Sequence, residues 1–137
     1  MKDEKLWNIF SSLVERYSDA KNTIQKDTGL TAAELKGLMS LETDAEISCQ
    51  DLSVRMNLSV SRGSRVIESL FNKGYLKRTV SSKDRRCKKV WLTDSGAQVR
   101  KRIDTQIQEC EAKFVANIPK NRLQNLKIEL KGLLKNF

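Results

Sequence analysis

The hydrophobic pattern of the chain changes its period at Gly74, and this change limits the possible folds more than any other feature. Before Gly74, apolar residues recur every three or four positions, which is the period of a helix. After Gly74, residues 75–80 and 87–92 are both compatible with strands, and the polar, charged segment 81–86 joins them. The sequence therefore predicts a series of helices followed by a β-hairpin with a long basic tip.

Two short helices lie directly before this hairpin. Ser48 and Ser59 can each cap a helix start, which predicts helices over 48–56 and 59–73. The second helix should end at Gly74, because a glycine just past a helix end is a stop signal. Two short helices joined by a tight turn form a helix-turn-helix, and a helix-turn-helix followed by a hairpin is a winged helix.

Longer helices flank this winged helix-turn-helix. The predicted helices outside the pair cover residues 3–26, 31–43, 94–117 and 120–136. The second of them begins with a capping box made by Thr31 and Glu34, and Pro119 separates the last two. With 137 residues, one domain over 1–137 is the default, so the expected fold is mainly α with a small β-hairpin.

The composition excludes several classes of protein. No stretch approaches the ~20 apolar residues of a membrane span, so no membrane partner is expected. Residues 1–5 lack the apolar run of a signal peptide, so the expected location is cytoplasmic. There is no histidine, and we find neither a phosphate-cradling glycine loop nor a clustered carboxylate pair. We therefore expect no enzyme, no cofactor and no metal site.

The net charge of +9 is concentrated in one segment. Residues 73–102 hold eleven cations and two anions, and the remaining residues have as many cations as anions. A localised excess of this kind favours a polyanion partner, most often nucleic acid. The alternative is a solvated charge run with no partner.

The helix over 59–73 has the character of a recognition helix. Its candidate DNA-binding residues are Ser59, Ser61, Arg62, Ser64 and Arg65. Short hydroxyls let a helix approach a groove closely, and arginines can reach guanine edges or phosphates. The face expected to dock on the core carries Gly63, Val66, Ile67, Leu70 and Phe71. Because Gly63 costs helix stability, we expect it to permit close approach to one of the two preceding helices; the alternative is a weakness that the helix tolerates.

The hairpin tip contains an aspartate inside a run of cations. Its candidate DNA-binding residues are Lys83, Asp84, Arg85, Arg86 and Lys88. An aspartate two positions from an arginine can hold that guanidinium through a charge-assisted pair. We therefore expect Asp84 to position Arg86 for entry into a narrow minor groove.

These features together resemble the MarR family of dimeric winged-helix transcription regulators, over nearly the whole chain. The motifs that carry the resemblance are residues 58–70, 73–76, the Asp-x-Arg of Asp84 and Arg86, and Leu-Thr-x-x-Gly within 90–96. The resemblance implies a homodimer on a pseudo-palindromic double-stranded operator. Recognition helices would enter successive major grooves, with wings on the flanking minor grooves. It also implies a small aromatic effector, a metal or an oxidant as the signal.

The resemblance divides the chain into a DNA-binding core, 30–93, and a dimerisation region, 1–26 and 94–137. The apolar surface of the flanking helices exceeds what one small winged helix can cover, which agrees with a dimer. Candidate dimerisation residues are Leu6, Phe10, Ile107, Cys110, Phe114, Leu126, Leu130 and Leu133. The alternative is an intramolecular bundle.

Three cysteines are the local clue to a signal. Cys87 lies among the cations of the wing, which lower a thiol pKa, and Cys110 lies on the apolar stripe of the fifth helix. These two are the candidates for redox sensing. Cys49 begins the third helix, where a thiolate is also favoured, and the alternative for each cysteine is a small residue that fills space.

The leading hypothesis is therefore a sequence-specific, homodimeric DNA-binding repressor whose affinity responds to a small molecule or an oxidant. The alternative is a winged-helix interaction module that binds a protein or RNA without reading base sequence.

Overall fold

The structure, a computed structural model, describes residues 3–84 and 86–137. The helices are α1 (Leu6–Thr28), α2 (Ala32–Met39), α3 (Cys49–Arg55), α4 (Val60–Asn72), α5 (Asp94–Phe114) and α6 (Lys120–Leu134). The strands are β1 (Ile47–Ser48), β2 (Leu76–Val80) and β3 (Cys87–Leu92). All six predicted helices and the hairpin are present, which confirms the winged helix-turn-helix fold. In the described residues no helix is long and apolar enough to cross a membrane.

The chain divides into two compact units. One comprises the residues up to Asp104, and the other comprises Thr105–Phe137. The whole winged helix-turn-helix belongs to the first unit, and its core lies between α2, α3, α4 and the sheet. The buried apolar residues of this core are Ile24, Leu30, Leu35, Leu38, Leu41, Cys49, Leu52, Met56, Ile67, Leu70, Leu76, Val90 and Ile103.

Several helix ends differ from the predicted ones. The prediction that α2 reaches residue 43 is wrong: the helix ends at Met39, and the N–H of Leu41 donates to the carbonyl oxygen of Leu38, three residues back, instead of continuing the four-residue pattern. A residue with φ of 62°, Asp44, then turns the chain. Likewise, α5 ends at Phe114 rather than at 117, where the chain enters a turn ahead of the proline.

The sheet contains a strand that the sequence did not predict. Its order is β1-β3-β2, and both pairs are antiparallel. In β1, Ile47 faces Val90 and Ser48 faces Lys89. A strand of two residues has no readable period, so hydrophobic alternation could not reveal it. Because β1 pairs with β3, the wing is hydrogen-bonded to the segment just before α3.

Close backbone approach explains Gly63. A Cβ at this position would collide with the side chain of Ser53 in α3. Gly63 is buried, and the Ser53 hydroxyl is itself turned back to the carbonyl oxygen of Cys49 at 2.9 Å. The prediction that this glycine permits close packing of the recognition helix is therefore confirmed, with α3 as the partner.

A buried carboxylate connects α2 to the end of α4. Glu34 completes the predicted capping box by accepting the N–H of Thr31 at 2.9 Å. It also accepts the hydroxyl of Ser69 at 2.8 Å and lies 2.9 Å from the Lys73 ammonium. Burial by itself raises the pKa of Glu34, but the hydrogen bonds from Thr31, Lys73 and Ser69 together lower the pKa below its ordinary value. We call these four residues the Glu34 cluster.

Candidate nucleic-acid interface

The polar face of α4 is open to solvent. Ser59, Ser61, Arg62, Ser64 and Arg65 are all exposed. Ser59 caps the helix, since its hydroxyl accepts the N–H of Arg62 at 3.2 Å. The Ser64 hydroxyl donates within the helix to the carbonyl oxygen of Val60 at 2.8 Å. Among the described residues, no ion pair engages Arg62 or Arg65, so their guanidinium groups face solvent ready for an anion.

The expected core face of α4 is correct except at its last member. Gly63, Ile67 and Leu70 are buried, and Val66 is half-buried. Phe71, however, is 39% exposed, and the Arg78 guanidinium lies over its ring at 4.3 Å from the centroid. The expectation that Phe71 docks on the core is therefore wrong. The residue instead forms a cation–π pair that joins the end of α4 to β2.

The wing shows the Asp84–Arg86 pair. The backbone N–H of Arg86 donates to Asp84 Oδ1 at 3.1 Å, and Arg86 Nε lies 3.2 Å from Asp84 Oδ2. The hydrogen bond from the Arg86 backbone and the nearby guanidinium lower the pKa of Asp84 below its ordinary value. The Arg86 side chain remains 84% exposed, so the carboxylate orients this cation without covering it.

The other cations of the wing differ in their exposure and in their ion pairs. Lys83 and Lys88 are exposed. Arg85 lies outside the described residues. At the base of the wing, Lys89 lies 3.8 Å from Glu46, a loose ion pair that joins β3 to the loop before β1.

The cysteines require a correction. Cys87 is not an isolated thiol, because it forms a disulfide with Cys49 at the start of α3. This pairing could not be predicted from the sequence, since 38 residues separate the two cysteines and β1, which pairs the segment before Cys49 with β3, has only two residues. Cys110 is free and half-buried in α5. In the described part of the chain no group of histidine, cysteine or carboxylate side chains could hold a metal ion.

The predicted dimerisation residues all keep accessible surface. Leu6, Ile107, Phe114, Leu130 and Leu133 are exposed, and Phe10, Cys110 and Leu126 are half-buried. Other apolar residues in α1, in α6 and after α6 are also exposed, although they were not among the predicted dimerisation residues. They include Trp7, Leu13, Val14, Tyr17, Leu134 and Phe137.

The geometry defines a winged-helix DNA-binding protein: a capped recognition helix with exposed arginines, and a wing with an oriented arginine. The sequence model of the MarR family matches residues 30–88, which is this same region. Over these residues, which are somewhat less than half of the chain, the sequence is similar to the MarR family. Members of this family are regulators rather than enzymes.

Individual relatives agree with this similarity. The HTH-type transcriptional regulator SarZ of Staphylococcus epidermidis is 27% identical over 126 residues, covering 91% of this chain and 81% of its own. A MarR family regulator from Silicibacter pomeroyi is 25% identical, with a TM-score of 0.71 and coverage of 93% and 86%. The S. aureus MepR–DNA complex, at 17% identity, shares the fold with a TM-score of 0.75 and coverage of 98% and 100%.

Proposed function

We propose that the protein is a homodimeric repressor that binds a pseudo-palindromic operator in double-stranded DNA. A small molecule or an oxidant modulates its affinity for this operator. The observation that carries this proposal is the pair of exposed arginines, Arg62 and Arg65, on the outer face of α4. The MepR structure was solved with DNA bound to the same fold. A regulator made of a DNA-binding core and dimerisation helices can repress by occupying its site.

The dimer is supported by the exposure of the terminal helices. None of α6 is buried, and every residue of 105–137 is described. A surface of this kind, with Leu134 72% exposed and Phe137 105% exposed, is typical of an interaction site rather than of a finished monomer surface. Two-fold symmetry then predicts half-sites about one helical turn of DNA apart.

Selection of bound fragments from genomic DNA tests the proposal, followed by affinity measurements over a range of salt concentrations. We expect one symmetric site and a steep fall of affinity with salt, because phosphate contacts release counterions. Arg62→Ala should weaken operator binding by about 1–3 kcal/mol, and Lys36→Ala, which removes an exposed cation from α2, serves as the matched control. Equal affinity for duplex DNA, RNA and an acidic polymer would instead favour the interaction-module alternative.

A cleft of about 400 Å³ between the loop after α2 and the first part of α5 is the candidate effector site. Its lining includes Glu42, Arg100 and Asp104. Arg100 lines this cleft, and its guanidinium is the group that we expect to pair with the carboxylate of a small aromatic acid. This volume is in the range of small-molecule sites.

Calorimetric titration with benzoate and its hydroxylated analogues tests this site. We expect binding to the wild type and a loss of binding in Arg100→Gln, with unchanged helix content by circular dichroism. Lys113→Gln on α5, a cation outside the cleft, is the control. Equal binding by Arg100→Gln and the wild type would remove the cleft as the effector site.

A further inference from the structure

Cys49 and Cys87 bring two separate parts of the winged helix into covalent contact. Cys49 is the first residue of α3, and Cys87 is the first residue of β3. Their Cα atoms are 6.0 Å apart, a separation at which a disulfide forms without movement of the backbone. The pairing of β1 with β3 helps to set this distance, because it ends at Ser48, which is next to Cys49, and at Lys89, which is two residues after Cys87.

We propose that Cys49 and Cys87 form a reversible oxidation site that responds to hydroperoxides and fastens the wing to the helix-turn-helix. The consequence for affinity rests on the DNA-binding function proposed above. The oxidation site itself does not, since it depends only on the positions of the two sulfur atoms.

The two cysteines differ in access to solvent, and this assigns their roles. Cys87 is half-buried and follows Arg86 and precedes Lys88, which are exposed cations that favour a thiolate. Its thiolate attacks the peroxide O–O bond and becomes a sulfenic acid, while the alcohol leaves. Cys49, only 6% exposed, then attacks that sulfur, and water leaves as the S–S bond forms. One hydroperoxide is reduced and two thiols are oxidised, and an external dithiol reverses the reaction.

The disulfide constrains a part of the wing that is otherwise weakly held. Cys87 pairs with Val80 of β2, and the register of this ladder shifts between Thr79 and Val80. Arg86, the oriented cation of the wing, is adjacent to Cys87. On the other side of the disulfide, α3 contacts the recognition helix where Ser53 meets Gly63. The disulfide therefore fixes the base of the wing relative to α4.

A fixed wing has less conformational freedom to lose when DNA binds. We therefore expect the disulfide form to bind the operator about threefold to tenfold more tightly than the dithiol form.

The experiment uses the full chain carrying Cys110→Ser, so that only Cys49 and Cys87 can react. Equimolar tert-butyl hydroperoxide should remove both free thiols, and peptide mapping should find the two cysteines crosslinked. Hydrogen exchange of residues 79–90 should become slower, and the operator Kd should fall. Dithiothreitol should reverse all of these changes. In matched variants that also carry Cys49→Ser or Cys87→Ser, none of these changes should follow the peroxide.

Each outcome decides a separate point. Failure of the crosslink to form, or irreversible overoxidation of Cys87, overturns the oxidation site and leaves the proposed DNA-binding function intact. A crosslink that protects the wing but leaves the operator Kd unchanged or larger overturns the control of affinity. If neither the dithiol form nor the disulfide form binds duplex DNA, the proposed function fails, and the thiol and exchange measurements still decide whether the site exists.

Discussion

At the scale of single residues, Asp84 is unusual because it lowers the positive charge of a surface that is expected to meet phosphates. Its two carboxylate oxygens are both used on Arg86, one on the backbone N–H and one on the side chain. An exposed pair of this kind contributes little to folding stability. The role that we propose for this pair is therefore to orient the guanidinium of Arg86.

Substitutions at this pair distinguish charge from orientation. We expect Arg86→Ala to weaken operator binding by about 1–3 kcal/mol and to reduce the salt slope by about one. Asp84→Ala should weaken binding less than Arg86→Ala does, although it raises the net charge. In the Arg86→Ala background, Asp84→Ala should have no further unfavourable effect. Fluorescence anisotropy of labelled operator at several salt concentrations measures all three variants.

The control for Asp84 is Glu46→Ala, which removes the same charge from the other ion pair of the wing. Glu46 lies 3.8 Å from Lys89, and both side chains are exposed. We expect Glu46→Ala to bind as tightly as the wild type, or slightly more tightly. If Asp84→Ala also bound as tightly as the wild type, the orienting role would be wrong.

Side-chain contacts were predictable from the sequence where the two residues are close together in the chain. The Thr31–Glu34 capping box and the Asp84–Arg86 pair span three and two positions, so their geometry follows from the local backbone. The disulfide partner of Cys87 could not be found in this way. It depends on tertiary contacts that no local pattern encodes.

At the scale of secondary-structure elements, we consider two contacts that hold α4 in place. The first is its contact with α3. Gly63→Ala should destabilise the fold by about 1–3 kcal/mol, because the added methyl group meets the side chain of Ser53 and the helices must separate. The measurement is the free energy of unfolding in urea. The double variant Ser53→Gly/Gly63→Ala should recover part of the loss.

Gly132→Ala in α6 is the matched control, since nothing lies within 4 Å of a Cβ at that position. Alanine is the better helix former by about 1 kcal/mol at an open site, so this variant should be as stable as the wild type or more stable. A stabilising effect of both substitutions would contradict the close packing of α3 against α4.

The second contact is the Glu34 cluster, which holds the end of α4 to α2. Glu34→Gln keeps the shape of the side chain but loses its charge, and we expect a destabilisation of about 1–3 kcal/mol at neutral pH. Because the folded-state pKa of Glu34 lies below the ordinary value of 4.5, the unfolded chain binds more protons between the two values. The stabilisation is therefore present above 4.5 and is lost as the pH falls through the folded-state pKa.

Urea denaturation of the wild type and Glu34→Gln at a series of pH values tests this expectation. The difference between the two proteins should shrink towards acid pH. Glu46→Gln, which alters an exposed carboxylate, should change stability by less than ~0.5 kcal/mol at every pH. A difference for Glu34→Gln that stayed constant below pH 4.5 would show that the charge of Glu34 does not stabilise the fold.

The elements themselves were predictable where their periodic pattern is long. The six helices and the hairpin follow from apolar spacing and from glycine and proline signals. The ends of α2 and α5 were not predictable, because there the N–H groups of Leu41 and Ala116 donate to carbonyl oxygens three residues back, and apolar spacing does not signal this change. The expected burial of Phe71 failed because helical spacing cannot anticipate the contact of Arg78 from another element.

At the scale of the whole molecule, the proposed dimer depends on the exposed apolar residues of the terminal helices. A monomer contacts one half-site, whereas a dimer turns the second contact into an intramolecular event. Leu130→Glu combined with Leu133→Glu places two charges on the exposed apolar side of α6. We expect this variant to be monomeric by light scattering and to lose at least about a hundredfold in operator affinity.

Ile128→Glu is the control for this prediction, because Ile128 is 57% exposed on the same helix and helical spacing places it opposite Leu126 and Leu130. It should remain dimeric and bind the operator as the wild type does. Equal helix content in all three proteins would show that the charges act on assembly rather than on folding. If the wild type were monomeric at micromolar concentration and still bound a symmetric site, the terminal helices would serve an intramolecular bundle, and the DNA would have to bring two independent chains together.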